Sequence, residues 1–472
     1  MKKVLSICIF FSLLACNDKD PVWIVTTPDE AWKEQDNRKI ELVDVEQPDV
    51  EVMLSEPRQV VDGFGACFNE LGWTSLSLLS DVQRDSVFSE LFAPGKGANF
   101  NICRMPVGAN DFSRDWYSYN ETAGDFEMKN FSIDNDKQTL VPFIKEALKY
   151  NPKLALWASP WSPPAWMKDN GHYACVSLSD FFDQRFRTDI RPDQVRAEGM
   201  NMFITEDEYY KAYALYFQKF IESYRGEGID ISMVMPQNEF NSCQPFPSCT
   251  WQANALAVFV GKYLGPAMQK LGVDVMFGTM ERPNPALVDT ILTDPDCAKY
   301  VKGVGFQWAG KESLPNIHER YPNMKIYETE QECGNGANSW GGAVYSWGLM
   351  KHYFKHGTNT YDYWNISLLE GGMSRWGWAQ NSLVVVDSLT HSYRYTYEYQ
   401  VLKHASHFVR PGAKYLPVSG DFSDIMAFLN PDGGVVVIVY NSEMEEVKKT
   451  VKIGTKTIAL PLKPQSFNTI AL

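Results

Sequence analysis

The chain has 472 residues, 44% hydrophobic and 22% charged, with a net charge of −14 at pH 7. So acidic a balance excludes a nucleic-acid binder, which needs a basic face to neutralise phosphates. The length suffices for one large core plus a smaller one, and 14 Trp and 23 Tyr supply flat faces that either pack a core or stack on sugar rings.

Lys2 and Lys3 precede an apolar run from Val4 to Leu14, too short to span a bilayer as a helix. The run ends in Leu13-Leu14-Ala15-Cys16, which looks like a bacterial lipoprotein signal. Residues 1–16 are therefore expected to be a leader that leaves Cys16 lipidated, in an exported protein of the outer membrane, on its periplasmic face or the cell surface. Acyl chains at about 0.8 kcal/mol per buried CH₂ would anchor it. Residues 17–37 read as a polar linker, and residues 38–57 alternate like strands.

From 58 to 404, short apolar runs alternate with helical stretches. Eight strands are expected, at Val60–Phe64, Asn101–Pro106, Leu154–Ala158, Ile231–Pro236, Val273–Phe277, Val304–Trp308, Lys325–Thr329 and Tyr361–Ile366. Ser80-Asp-Val-Gln83 and Thr205-Glu-Asp-Glu208 read as capping boxes that open helices. Eight strand–helix alternations predict an α/β fold, a (β/α)₈ TIM barrel. A doubly wound open sheet is the alternative, but no glycine-rich phosphate loop follows the first strand. Residues 405–472 change character. Ile425–Leu429, Pro431-Asp-Gly-Gly434 and Val435–Tyr440 read as strand, turn, strand, and with 38–57 they predict a small β-sandwich built from both chain ends. His404 and His407 read as helix-surface residues, and no metal-ligand spacing is present. Cys67, Cys103 and Cys333 read as buried thiols. Cys243 and Cys249 are close enough to close a loop disulfide, or remain thiols.

Active-site groups of such a barrel sit at the C-terminal ends of its strands. Two acids do so: Glu239, closing Met235-Pro-Gln-Asn-Glu239 after the fourth strand, and Glu330, closing Tyr327-Glu-Thr-Glu330 after the seventh. They lie 91 residues apart, as three βα units of about 30 residues require. An isolated loop-end carboxylate is ordinarily a solvated charge. Two opposed ones are what retaining glycoside hydrolysis needs, one as nucleophile and one as acid/base. Glu328 faces the same side of its strand as Glu330, so alternation does not separate them. Position nearer the strand end favours Glu330. Asn238 is placed to hydrogen-bond a sugar 2-hydroxyl.

Longer motifs add a resemblance. Gly63-Phe64-Gly65, Arg104-Met-Pro-Val-Gly-Ala-Asn-Asp111-Phe-Ser113, Ala158-Ser-Pro-Trp161-Ser-Pro-Pro-Ala-Trp166-Met-Lys168 with Asn170-Gly171, and Tyr363-Trp364-Asn365 occur in order around the two acids. In these the chain resembles glycoside hydrolase family 30, the group of lysosomal glucosylceramidase and microbial β-1,6-glucanases, from about Val60 to the C-terminus. The resemblance implies barrel plus sandwich, a retaining mechanism and no cofactor or metal. It gives Arg104 the place of an arginine that orients the nucleophile. Asp111 takes that of a carboxylate on sugar hydroxyls, and Trp161 and Trp364 those of subsite walls, while Trp166 either joins the wall or braces its loop. Trp308 is added as a substrate contact. Two departures matter. In Gly305-Phe306-Gln307-Trp308-Ala309, Ala309 stands where glucosylceramidase has a tyrosine, and Glu370-Gly-Gly-Met-Ser-Arg375-Trp376-Gly377-Trp378 differs, its two Trp suiting a leaving-group platform. Both resemble the bacterial β-1,6-glucanase branch. The expected activity is endo-β-1,6-glucan hydrolysis by a monomer whose partners are a β-linked glucan or glucoside and, through its lipid, a membrane. The alternatives are an exo-acting β-glucosidase or glucosylceramidase-like enzyme and, in another class, a non-catalytic glycan-binding lipoprotein.

Overall fold

The computed structural model describes residues 20–180 and 182–472. The proposed leader, with Cys16, lies outside them. Eight parallel strands close a barrel: Gly63–Cys67, Ile102–Pro106, Ala155–Ser159, Met233–Val234, Asp274–Met280, Val301–Gln307, Lys325–Glu330 and Thr360–Asn365. All eight expected strands are present, shifted by up to three residues at their starts. The fourth is only two residues long, because Pro236 follows and has no N–H to give a ladder. Ile102, Trp157, Met233, Met235, Met276 and Tyr327 pack together and fill the lower lumen, so the barrel is a core rather than a pore. At Gly65 a side chain is sterically impossible, since a Cβ there would lie 1.6 Å from the Ile102 carbonyl oxygen.

The first capping box forms: the Ser80 hydroxyl accepts from Gln83 N–H and the Gln83 side chain returns to the Ser80 backbone. The second does not. The helix Asp207–Gly226 starts after Glu206 with no side-chain cap, and Asp207 and Glu208 in its first turn face the positive helix end instead.

The sandwich differs from expectation at its N-terminal part. Val22–Thr26 lies in the stretch read as linker, yet it is an inner strand, antiparallel to Ser466–Ala471 over five residue pairs. Its apolar alternation is satisfied only by a partner at the far end of the chain. One sheet runs Lys414–Leu416, Ile425–Leu429, Val435–Asn441, Ser466–Ala471, Val22–Thr26, Lys33–Glu34; the other runs Val418–Gly420, Val50–Val52, Val447–Ile453, Lys456–Leu462, Glu41–Leu42. The first sheet is buried on both faces. Val435, Val437 and Val439 face the second sheet, while Val436, Ile438, Tyr440 and Phe467 join the barrel core. On that side Phe467 meets Trp340 and Trp347, and Phe428 meets Phe354, all from the helix Trp340–Lys355.

His404 is not a surface residue. It is buried in the helix Tyr397–Ser406, with Nδ1 paired to the Thr469 hydroxyl (2.8 Å) and Nε2 to that of Thr26 (2.9 Å). Burial first, and the nearby Lys403 charge, push its pKa down to about 3. His407 is half-buried and its Nδ1 pairs with the Gly97 carbonyl. Cys67, Cys103 and Cys333 are buried thiols, and Cys243 and Cys249 are both unbridged.

Candidate active site

The mouth of the barrel holds a cavity of about 250 Å³, below the ~300–1,000 Å³ common for drug-sized ligands and suited to about one sugar unit. Glu239 and Glu330 both line it, as do Asp111, Trp161, Trp308 and Trp378.

Glu330 ends its strand inside a ring of donors. Arg104 Nη1 reaches its Oε2 at 3.0 Å, Gln307 Nε2 reaches the same oxygen at 3.2 Å, and Trp308 Nε1 reaches Oε1 at 3.0 Å. Burial raises its carboxyl, and the Arg104 charge with the Trp308 and Gln307 hydrogen bonds limits the rise. Arg104 is wholly buried and itself fixed, with Nη2 donating to Asn238 Oδ1 (2.7 Å) and the Ser159 hydroxyl (2.9 Å). Its guanidinium carbon sits 4.4 Å from the centre of the Trp161 ring and 4.9 Å from that of Trp157, a stacked, charge-assisted setting that lysine would not reproduce.

Glu239 follows the fourth strand in the left-handed region, φ 48°, and Trp308 follows the sixth at φ 47°. Side chains rarely adopt this backbone, and such strain collects where position matters more than stability. Thr279 Oγ1 accepts from Glu239 N–H (3.0 Å) and donates to Asn238 Oδ1 (3.1 Å), holding the turn. Gln307 Nε2 donates to Glu239 Oε1 at 3.1 Å as well as to Glu330. One nitrogen thus bonds both acids and keeps those two oxygens close to each other. Glu239 Oε2 is buried with no hydrogen-bond partner. Burial, then the charges of Glu281, Glu330 and Asp111, raise the Glu239 carboxyl well above the usual carboxylate range.

Asp111, which lines the cavity, is also buried, with Oδ1 unpartnered, and Trp364 N–H approaches it without reaching hydrogen-bond geometry. Burial and the Glu330 charge raise it well above its usual value. Asn238 Oδ1 takes three donors, from Arg104, Gln307 and Thr279, which fixes the amide beside Glu239.

Two expected contacts lie elsewhere. Trp364 is fully buried behind Trp161, stacked at 5.3 Å, rather than on the cavity wall. Trp376 is fully buried too, its Nε1 directed at the Tyr173 hydroxyl (3.4 Å), so it forms no platform with Trp378. Trp378 does line the cavity, 5.9 Å from Trp308. Gly377 between them has φ 80°, which sends the two indoles to different sides. Trp166 braces its loop through Nε1 to the Asn120 carbonyl (3.0 Å). Glu328 is separated from Glu330 at last: it is buried, off the cavity, with Oε2 accepting from Asp362 N–H (2.8 Å).

Sequence reasoning missed Gln307, Glu281, Arg282, Gln244, Phe246 and Gln380. Glu281 follows the fifth strand and Gln307 ends the sixth, so the strand-end rule applied to every strand would have found both. A bulge between Phe306 and Gln307 pairs Gln307 with Glu330 and turns its amide toward the acids. Glu281 lines the cavity and pairs with Arg282, which also pairs with Glu198 (3.0 Å).

The chain is similar to known proteins in both of its parts. Residues 61–179 and 191–409 match the glycosyl hydrolase family 30 TIM-barrel domain, and 412–470 match the family 30 β-sandwich domain. Putative glucosylceramidase 1 of Caenorhabditis elegans is 29% identical over 82% of this chain and 75% of its own length. Endo-1,6-beta-D-glucanase neg1 of Aspergillus fumigatus is 26% identical over 84% of this chain and 82% of its own. The solved structure of the endo-beta1,6-glucanase BT3312 superposes with a TM-score of 0.77 at 24% identity, covering 96% of this chain and 99% of that one. A closed eight-stranded barrel with paired carboxylates at its mouth, matched along nearly its whole length by both domain families, makes this chain a glycoside hydrolase that belongs to glycosyl hydrolase family 30.

Proposed function

We propose that the chain hydrolyses β-glucosidic bonds with retention, Glu330 acting as nucleophile and Glu239 as acid/base. The carrying observation is the single Gln307 nitrogen shared between the two acids. Every donor around Glu330 favours its carboxylate, while burial and the charges of Glu281, Glu330 and Asp111 favour the protonated form of Glu239. In the first step Glu330 attacks the anomeric carbon while Glu239 gives its proton to the leaving oxygen. In the second, Glu239 takes a proton from water, which displaces Glu330. Asp111 and the fixed Asn238 amide are assigned to sugar hydroxyls, and Trp161, Trp308 and Trp378 to the ring faces. Arg104 positions Glu330.

The substrate proposed is a β-1,6-linked glucan, cut internally. It rests on the fungal glucanase relative and on the polar mouth: Gln244, Glu281, Arg282 and Gln380 line the cavity. A hydroxylated aglycone can hydrogen-bond with that rim, whereas the two alkyl tails of a ceramide would strip water from charged groups and return no hydrogen bonds. Membrane attachment through lipidated Cys16 belongs to the same proposal. The time course of products from linear β-1,6-glucan tests the substrate. Mixed oligosaccharides at the earliest points are expected. Glucose alone would make the enzyme exo-acting, and turnover of glucosylceramide without turnover of glucan would overturn the choice.

A further inference from the structure

Beside the acid/base loop lies a cluster of sulfur and nitrogen groups that the reaction does not use. Lys168, Cys175, Cys243 and Cys249 converge there from two loops. Lys168 is buried and gives its ammonium protons to the carbonyls of Tyr173 (2.8 Å) and Ser248 (2.6 Å). Cys175 is buried, and its backbone N–H donates to the Gln244 carbonyl (2.9 Å), next in sequence to Cys243. The Cys175 carbonyl accepts from Arg196 N–H (2.9 Å), and Cys243 Sγ approaches the Arg196 carbonyl (3.7 Å). These bonds lay the two segments side by side, so that the thiols of Cys175 and Cys243 perturb each other's ionisation, while Cys175 Sγ also lies 3.0 Å from Met202 Sδ. Cys249 is wholly buried and bonds to neither, its Sγ directed at the Thr250 carbonyl.

We infer that Cys175 and Cys243 form a redox-active disulfide that ties the 168–205 loop to the acid/base loop, in place of the Cys243–Cys249 bridge that sequence spacing suggests. The entry point is Cys243, the half-exposed member of the pair. Contact with Cys175 and burial hold the Cys243 thiol up, so Cys243 passes its proton to the Cys175 thiolate as its sulfur attacks a small-molecule disulfide, forming a mixed disulfide and releasing one thiolate of the reagent, which takes that proton in turn. The Cys175 thiolate then attacks the Cys243 sulfur, closing the bridge and expelling the second. The two thiol protons end on the two expelled thiolates, and the reagent leaves as two thiols. Burial opposes ionisation of Cys175, but its contact with Cys243 and the Lys168 charge favour the thiolate. The bond would immobilise Gln244 and Phe246, which line the cavity just after Cys243.

The test is peptide mapping of the full chain after incubation with oxidised glutathione, without reductant and with free thiols alkylated first. Peptides holding Cys175 and Cys243, joined and lighter by two hydrogens, are the expected product. Reduction should then lower the melting temperature by several degrees, since the bond closes a long loop. C243A, at a half-buried position, should abolish that redox dependence, and C249A should leave it. Recovery of Cys175 and Cys243 both alkylated after oxidation, or of a Cys243–Cys249 link, would overturn the inference.

Discussion

Gln307 bonds both acids, and the charge of Glu281 acts on Glu239 through space. Activity requires Glu330 ionised and Glu239 protonated. Both carboxyls are raised by burial, and Glu239 further by three neighbouring carboxylates. Activity therefore falls as pH drops through the Glu330 value and as pH rises through the higher Glu239 value, giving a bell with a raised alkaline limb. E281Q removes the like charge that acts most strongly on Glu239, lowers the Glu239 pKa and moves that alkaline limb to lower pH in a kcat/KM profile. An unmoved limb would show that Glu281 does not sense Glu239. E330Q should lose roughly 10³–10⁵-fold in kcat with its melting temperature retained, and near-wild-type turnover would sink the nucleophile assignment. E239Q should lose about 10²–10⁴-fold on natural glucans but far less glycosylation rate on aryl glucosides, whose leaving groups need no proton. Azide, a nucleophile that needs no base, should restore its turnover and give a β-glucosyl azide. An α-product would mean inversion.

Elements carry the next claim, through His404. The helix Tyr397–Ser406 is tied by this one imidazole to Thr26 and Thr469, on adjacent strands of the first sheet. The folded protein keeps it neutral, with a pKa of about 3 against an ordinary 6.5. Its contribution is therefore whole above pH 6.5 and is lost as pH falls toward 3, because the unfolded chain takes up the proton first. The loss is on the order of a few kcal/mol. H404A should melt several degrees lower at pH 7 and show a shallower decline of melting temperature between pH 6.5 and 4. An acid limb as steep as wild type would refute the assignment. At this scale the sequence was largely legible. Each barrel strand announces itself as a short apolar run, because both strand faces are buried. Val22–Thr26 does not: five residues inside a stretch that reads as polar linker carry too short a pattern to stand out, and the partner strand lies some 440 residues away. Likewise the amide of Gln307 carries no charge to attract notice, and its aim depends on a bulge that only the folded register creates. The Trp376–Trp378 pair misled because spacing along a loop says nothing about direction, which Gly377 decides.

At the scale of the molecule, barrel and sandwich share a layer. The sheet built from both chain ends turns Val436, Ile438, Tyr440, Phe428 and Phe467 into the barrel's own core while its opposite face closes the sandwich. Neither part can then expose this interface at low cost, since each large apolar side chain contributes roughly 1.5–3 kcal/mol when buried. Two consequences follow. Heating should give one cooperative calorimetric transition, whereas two resolved transitions would show that the sandwich unfolds independently. A chain ending at residue 411 should also fail to yield a soluble monomer, because the faces of the helices Trp340–Lys355 and Tyr397–Ser406 that meet the sheet would be bare. If that shortened chain instead stays monomeric and hydrolyses aryl glucosides at the full-length rate, the sandwich is an appendage and the shared layer contributes nothing to the site. Its loss of activity alone would be ambiguous, so solubility and hydrogen exchange along Trp340–Lys355 decide: rapid exchange there in the truncated chain is the signature of a barrel that depends on both chain ends for its core.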